Sequence, residues 1–297
     1  MEKRMIFEGI ATALITPMRD GKIDYGALSD IIDAQIECGI GALVVAGTTG
    51  EASTLTAEER IALFKFSYKH VNGRTKLIFG TGSNDTELTV LYSKWAKECG
   101  ADAALIVTPY YNKGTEEGVY RHYERVTEST DIPVILYNVP SRTGVNLPIK
   151  TIKRLMANER IAGIKEASDS VERQMELYAL GDTLPIYAGN DSQIYLNSAL
   201  GGAGTISVLS NLFPEAALGI YRAFKAGECS LALRRQRELL PFIKLLFSDT
   251  SPAPIKYAMS QKFLCEEEMR LPLSVIGKEL GQKIYREYKR LCRLGYA

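Results

Sequence analysis

The sequence predicts an α/β fold, a (β/α)8 TIM barrel with a C-terminal helical extension, on three observations. Eight short apolar runs alternate with longer amphipathic segments. The runs are almost continuously apolar rather than alternating with period two, the pattern of parallel strands buried on both faces. Beyond Ser207 the pattern turns wholly helical. Eight strand–helix units suit a closed barrel. An open, doubly wound sheet that binds a dinucleotide needs a Gly-rich turn after an early strand, and the sequence has none.

The predicted strands span residues 9–16, 42–45, 76–80, 103–107, 134–138, 161–165, 185–189 and 204–207, each bounded by Gly, Pro or polar residues. Asp24 precedes the first helical segment. Thr56-Ala-Glu-Glu59 is a capping box before 60–71. Asp85-Thr-Glu87 opens a helix that runs to Cys99-Gly100, where glycine is placed as a stop. Thr115-Glu-Glu starts 118–129, and Pro148 sits at a first-turn position before 151–156. The amphipathic segment 214–226 reads as the last barrel helix, and 230–247, 251–264 and 272–294 as an appendage. The expected organisation is therefore a barrel over 1–226 and a helical appendage over 227–297.

Composition narrows the chemistry. With 46% hydrophobic and 24% charged residues over 297 positions, the chain can bury a large core. A net charge of +1 gives no global attraction to nucleic acid or an anionic membrane. Cys38, Cys99, Cys229, Cys265 and Cys292 are odd in number and lack CxxC spacing, which suits a reducing compartment rather than a disulfide framework or zinc site. No stretch has the length of a membrane span or the apolar core of a signal peptide, so a cytoplasmic protein is expected. Only His70 and His122 are present, both in amphipathic helical patterns, which argues against a His-ligated metal and a Ser-His-Asp triad. Lysine, tyrosine, threonine and carboxylates remain.

Active sites of such barrels lie at the C-terminal strand ends. Lys165 closes the apolar run Ile161-Ala-Gly-Ile-Lys165. Desolvation there favours the neutral amine, the nucleophile that Schiff-base chemistry on a carbonyl needs. The plain alternative is a lysine whose stem is buried and whose ammonium reaches water. Tyr137 ends the preceding strand and could relay protons, or simply bond a backbone carbonyl. The loop Gly47-Thr48-Thr49-Gly50 can aim N–H groups and hydroxyls at an anion. Arg142 offers a planar fork for a carboxylate. Tyr110-Tyr111 suits a packing pair or a subunit contact. That these residues converge on one end of the barrel is hard to explain as packing.

The segments Gly47-Thr-Thr-Gly-Glu51, Thr108-Pro-Tyr-Tyr-Asn-Lys113, Tyr137-Asn-Val-Pro-Ser-Arg-Thr-Gly144 and Gly163-Ile-Lys-Glu-Ala167 resemble the dihydrodipicolinate synthase (4-hydroxy-tetrahydrodipicolinate synthase) family. The resemblance covers nearly the whole chain, and its motifs are specific for the pyruvate-dependent class I aldolases that also include N-acetylneuraminate lyases. It implies that Lys165 forms an iminium and then an enamine with pyruvate. The enamine attacks aspartate β-semialdehyde, giving the heterocycle that leads to diaminopimelate and lysine. It implies a proton relay of Tyr137, Thr48 and Tyr111, with Tyr111 serving a neighbouring subunit's site. Thr48 and Thr49 would hold the pyruvate carboxylate, Arg142 the semialdehyde carboxylate, and the Ile206 carbonyl and Gly189 would line the pocket. No metal or organic cofactor is implied, and the implied assembly is a homo-oligomer, a tetramer built as a dimer of dimers.

Arg142 separates this reading from its relatives. Lyases of N-acetylneuraminate or keto-deoxy sugar acids typically carry an apolar residue there. A barrel that has lost catalysis and serves only to bind would have lost Lys165 or Tyr137. Three departures stand out. Lys113 is followed by Gly114 rather than proline. Asn190 stands where an acid is common. At the lysine-feedback site of the resembled family, histidine positions here carry Ala57 or Arg60, and a glutamate position carries Leu88. An apolar leucine cannot pair with an ammonium. Millimolar lysine is therefore expected to leave the reaction rate essentially unchanged, and strong inhibition in a rate assay would contradict this.

Overall fold

The computed structural model describes residues 5–181 and 183–296. Eight parallel strands close into a barrel: β1 (Gly9–Ala13), β2 (Ala42–Val45), β3 (Lys76–Gly80), β4 (Ala103–Val107), β5 (Val134–Asn138), β6 (Ile161–Glu166), β7 (Ile186–Ala188) and β8 (Gly204–Ser207). Each pairs with its successor and β8 returns to β1. The expected (β/α)8 architecture is the one observed. The outer ring consists of α1 (Tyr25–Glu37), α2 (Ala57–Val71), α3 (Thr86–Glu98), α4 (Glu116–Ser129), α5 (Ile149–Leu155), α6 (Val171–Tyr178), α7 (Ile194–Ala199) and α8 (Pro214–Lys225). Three further helices follow, α9 (Cys229–Leu246), α10 (Ala253–Ser260) and α11 (Lys278–Arg293).

The helix starts follow local chemistry. Asp24, Asp85, Thr115 and Ser170 each accept a bond from a backbone N–H of their first turn. Thr56 and Glu59 form the reciprocal box, at 2.9 and 3.2 Å. One apolar cluster fills the space between strands and helices, and a second fills the barrel's interior. Inside, small residues such as Ala11, Ala42 and Ala103 leave room for Tyr187, whose ring stacks on Phe7 at 4.3 Å while its hydroxyl donates to the Phe7 carbonyl.

Several boundaries differ from expectation, for non-local reasons. β1 stops at Ala13 rather than reaching residue 16. Leu14 N–H still donates to the Val44 carbonyl, but Ile15 N–H turns to the side-chain oxygen of Asn211. β6 gains Glu166 because Asn138 and Glu166 pair across the ladder. The segment expected to be helical over 251–264 is helical only over Ala253–Ser260, and Phe263 adopts a left-handed φ of 57°. The last helix begins at Lys278 instead of residue 272. Just before it, the Glu268 carbonyl accepts from Lys256 and the Arg270 N–H donates to Glu51, so these backbone groups serve the barrel rather than a helix. A short hairpin of Met18–Arg19 with Lys22–Ile23, stabilised by long-range contacts from Glu268 and Arg270, follows β1.

The buried ion pair Glu51–Lys256 joins the loop after β2 to α10, both side chains being fully inaccessible. Burial pushes the Lys256 ammonium down from its ordinary value, and the Glu51 charge opposes that shift.

His122 on α4 is buried, with Nδ1 3.0 Å from the Thr86 hydroxyl. Burial holds its pKa down at about 4, against an upward pull from Asp85. Its folded value lies below its unfolded value near 6.5. Above that value its contribution to stability is complete. As pH falls towards 4 the unfolded chain takes up a proton that the folded chain refuses, and about 3 kcal/mol is lost. Urea unfolding between pH 7 and 4 is expected to show a shallower decline for His122→Gln than for the unaltered chain, and identical declines would contradict this.

Candidate active site

The site forms where β5 and β6 end. Tyr137 and Lys165 are direct partners in the parallel ladder, as are Asn138 and Glu166. Neighbouring side chains at one register position project to the same side of the sheet, so Tyr137 and Lys165 both enter the barrel. The Lys165 Nζ lies 4.4 Å from the centre of the Tyr137 ring, and each residue is 6% exposed. The amine thus reaches the mouth through a mostly apolar surround.

Behind this pair lies a fixed polar network. Glu166 is 1% exposed and forms an ion pair with Arg173 of α6 at 2.9 Å. Its two oxygens also accept from the Asn138 amide at 2.9 and 3.0 Å, and one accepts from Ser168 N–H at 2.9 Å. Arg173 donates onward to the Leu147 carbonyl at 2.6 Å, while Leu147 N–H donates to Asn138 Oδ1 at 2.9 Å. A buried charge needs this degree of satisfaction. The result clamps the ends of β5 and β6 at the same height.

Thr48 and Thr49 follow β2 on a tight loop in which Gly50 N–H donates to the Gly47 carbonyl and Thr16 donates to the Gly50 carbonyl. Ala46 takes a left-handed φ of 51° to enter the turn. Arg142 belongs to a one-turn helix, Pro140–Thr143, directly after β5. Gly189 follows β7, where a Cβ would collide with Ala167. Lys165, Tyr137, Thr48, Thr49, Arg142 and Gly189 all line one open cavity of about 920 Å³. A smaller inner cavity of about 230 Å³ shares Thr48, Tyr137 and Arg142 and adds Tyr110 and Arg60.

Two residues singled out in the sequence are not among those lining these two cavities. The Ile206 side chain is fully buried in the barrel interior, and the residue that borders the cavity is Val208, just past the end of β8. Tyr111 is 88% exposed, holds a left-handed φ of 71° and borders neither cavity of its own chain.

The sequence offered no signal for three other features. Asp191 is fully buried, and its Oδ2 accepts from Val208 and Leu209 N–H at 3.0 and 2.9 Å, tying the end of β7 to the end of β8. Burial raises its pKa, opposed by bonds from Ser207 and this backbone and by the charge of Lys165. Arg173 completes the network behind Lys165. The outer cavity wall comes from the C-terminal helices, through Ile243, Lys244 and Phe247 of α9 and its following loop. Among the described residues no group of three or more His, Cys, Asp or Glu could hold a metal ion, and no helix is long and apolar enough to cross a membrane. The arrangement suits covalent catalysis by an amine on a small carbonyl acid, with hydroxyls for its carboxylate and protons.

Comparison with known proteins gives the same direction. The sequence profile of the Dihydrodipicolinate synthetase family matches residues 6–290. The chain is 43% identical to a 4-hydroxy-tetrahydrodipicolinate synthase of Clostridium novyi, over 90% of this chain and 91% of that one. It is 43% identical to the enzyme of that name from Alkaliphilus oremlandii, over 96% and 99% of the two chains. The crystal structure of dihydrodipicolinate synthase from Aquifex aeolicus superposes with a TM-score of 0.93 at 39% identity, covering 98% of this chain and 99% of that one. The chain belongs to the dihydrodipicolinate synthetase family.

Proposed function

We propose that the chain condenses pyruvate with L-aspartate 4-semialdehyde, the 4-hydroxy-tetrahydrodipicolinate synthase reaction. The observation that carries this reading is Lys165, buried at the barrel's mouth in register with Tyr137 and sharing a cavity with the guanidinium of Arg142.

The Lys165 amine attacks the keto carbon of pyruvate, and the carbinolamine loses water to give an iminium. Tyr137 hands protons to and from the departing oxygen, with Thr48 and a Tyr111 supplied by a second copy of the chain as its relay. The outward-facing Tyr111 supports that assignment, because it borders neither of the two cavities at its own barrel's mouth. Loss of a methyl proton converts the iminium to an enamine. The enamine carbon then bonds to the aldehyde carbon of the second substrate, whose oxygen takes up a proton. The amino group of that substrate attacks the iminium carbon, closes the ring and releases the lysine amine. Thr48 and Thr49 hold the pyruvate carboxylate, Arg142 the semialdehyde carboxylate, and the Ile206 carbonyl and Gly189 the pocket floor. The iminium is the electron sink, so the steps run without a cofactor.

The same reading makes the protein a cytoplasmic homotetramer arranged as a dimer of dimers, with residues 1–226 as barrel and 227–297 as appendage. A rate assay with both substrates tests the reaction. Consumption of pyruvate that depends on the semialdehyde, and that is lost in Lys165→Ala, is expected. No consumption by the unaltered protein would overturn it. Co-expressed Lys165→Ala and Tyr111→Phe chains are expected to recover activity that neither has alone, since a mixed dimer holds one intact site. Inactive hybrids would rule out the shared tyrosine.

A further inference from the structure

Five charged residues border the substrate cavity, Arg142, Lys165, Lys244, Asp169 and Asp249, and none of them is in an ion pair among the described residues. Two of opposite sign flank the reacting lysine's strand and the one before it. One is Arg142, whose guanidinium has no acidic partner among the described residues. The other is Asp169, four residues after Lys165 and bordering the same cavity of about 920 Å³. No cation lies within ion-pair distance of Asp169 among the described residues, and its one side-chain partner is Asn190, which donates to Oδ1 at 2.9 Å.

The position of Asp169 is built, not incidental. Glu166 fixes Ser168 N–H at 2.9 Å. The Ser168 carbonyl accepts from the side chains of Gln193 and Asn190, at 3.1 and 3.4 Å. The turn that presents Asp169 is thus tied to the loop after β7, and the Asn190 amide steers the carboxylate. A neutral donor on one oxygen leaves the negative charge and the other oxygen free for a cation. The other acid on this wall, Asp249, likewise accepts one neutral donor, Thr250 N–H at 2.6 Å, but it lies on the loop after α9 rather than directly after Lys165.

A cavity with a free guanidinium and a free carboxylate matches a ligand carrying both a carboxylate and an ammonium. Pyruvate has no ammonium. The second substrate of the proposed reaction has both on its α-carbon. We infer that Asp169, oriented by Asn190, is a specificity-determining residue that receives the α-ammonium of the aldehyde substrate while Arg142 receives its carboxylate. This inference rests on the reaction assigned above. It also gives the amino group a defined place before the carbon–carbon bond forms, from which it must later reach the iminium carbon.

The test compares aspartate 4-semialdehyde with succinic semialdehyde, which lacks only the amino group, as partners for pyruvate. The readout is the ratio of their kcat/KM values. In Asp169→Asn that ratio is expected to fall at least about tenfold, the effect of losing one charge-assisted contact. Asp169→Asn/Asn190→Asp exchanges the two side chains across the same hydrogen bond, and it is expected to recover much of the preference. Both substitutions lie at the cavity rim and keep side-chain size, so folding is preserved. A ratio unmoved in Asp169→Asn, or an equal loss with both aldehydes, would overturn the inference while leaving the reaction standing. If the unaltered protein turns over neither aldehyde, the reaction and the inference both fall.

Discussion

The Glu166 carboxylate is the group on which the site depends. It is buried with Arg173, and its oxygens are filled by Asn138 and a backbone N–H. Removing one partner from such a pair leaves an uncompensated buried charge and costs about 3–5 kcal/mol. The network therefore fixes geometry more firmly than apolar packing would. It joins the last residue of β5, the last residue of β6, the 146–147 loop and α6. Its consequence is the Tyr137–Lys165 register. A slip of one residue would turn one of the two side chains out of the barrel.

Two more buried carboxylates repeat the device around the rim. Glu51 pairs with Lys256 and so couples the loop carrying Thr48 and Thr49 to α10. Arg270 adds bonds to Glu59 and to the Thr54 carbonyl beside the same loop. Asp191 binds the end of β8, and its own carbonyl accepts from Gln236 of α9. The C-terminal helices are thus structurally continuous with the site. They supply the Lys256 counter-charge to Glu51 and part of the cavity wall.

Much of the fold was legible in the sequence because it is encoded locally. Apolar runs of strand length, the Thr56–Glu59 box and the Asp85 and Thr115 caps each act within a few residues. The end of β1 was not, because Asn211 intercepts its ladder from 196 positions away. The first appendage helix matches its expected span, but the last starts later than its local pattern suggests for a similar reason: Lys256 and Glu51 are separated by 205 positions, and Lys256 also takes the Glu268 carbonyl. In the site, the lysine, tyrosine, threonines and arginine were visible as unusual residues at strand ends. Arg173 and Asp169 were not, since in the sequence each is an ordinary charge beside a helix start. Only the folded chain reveals that one is buried and the other faces a cavity.

The account turns on the Lys165 amine being the nucleophile of the barrel. The most direct measurement is borohydride reduction of the protein with pyruvate, followed by intact mass analysis and peptide mapping. A single reduced pyruvate adduct on Lys165 is the expected result. A folded protein that takes up no adduct, or takes it up on another lysine, would contradict the account.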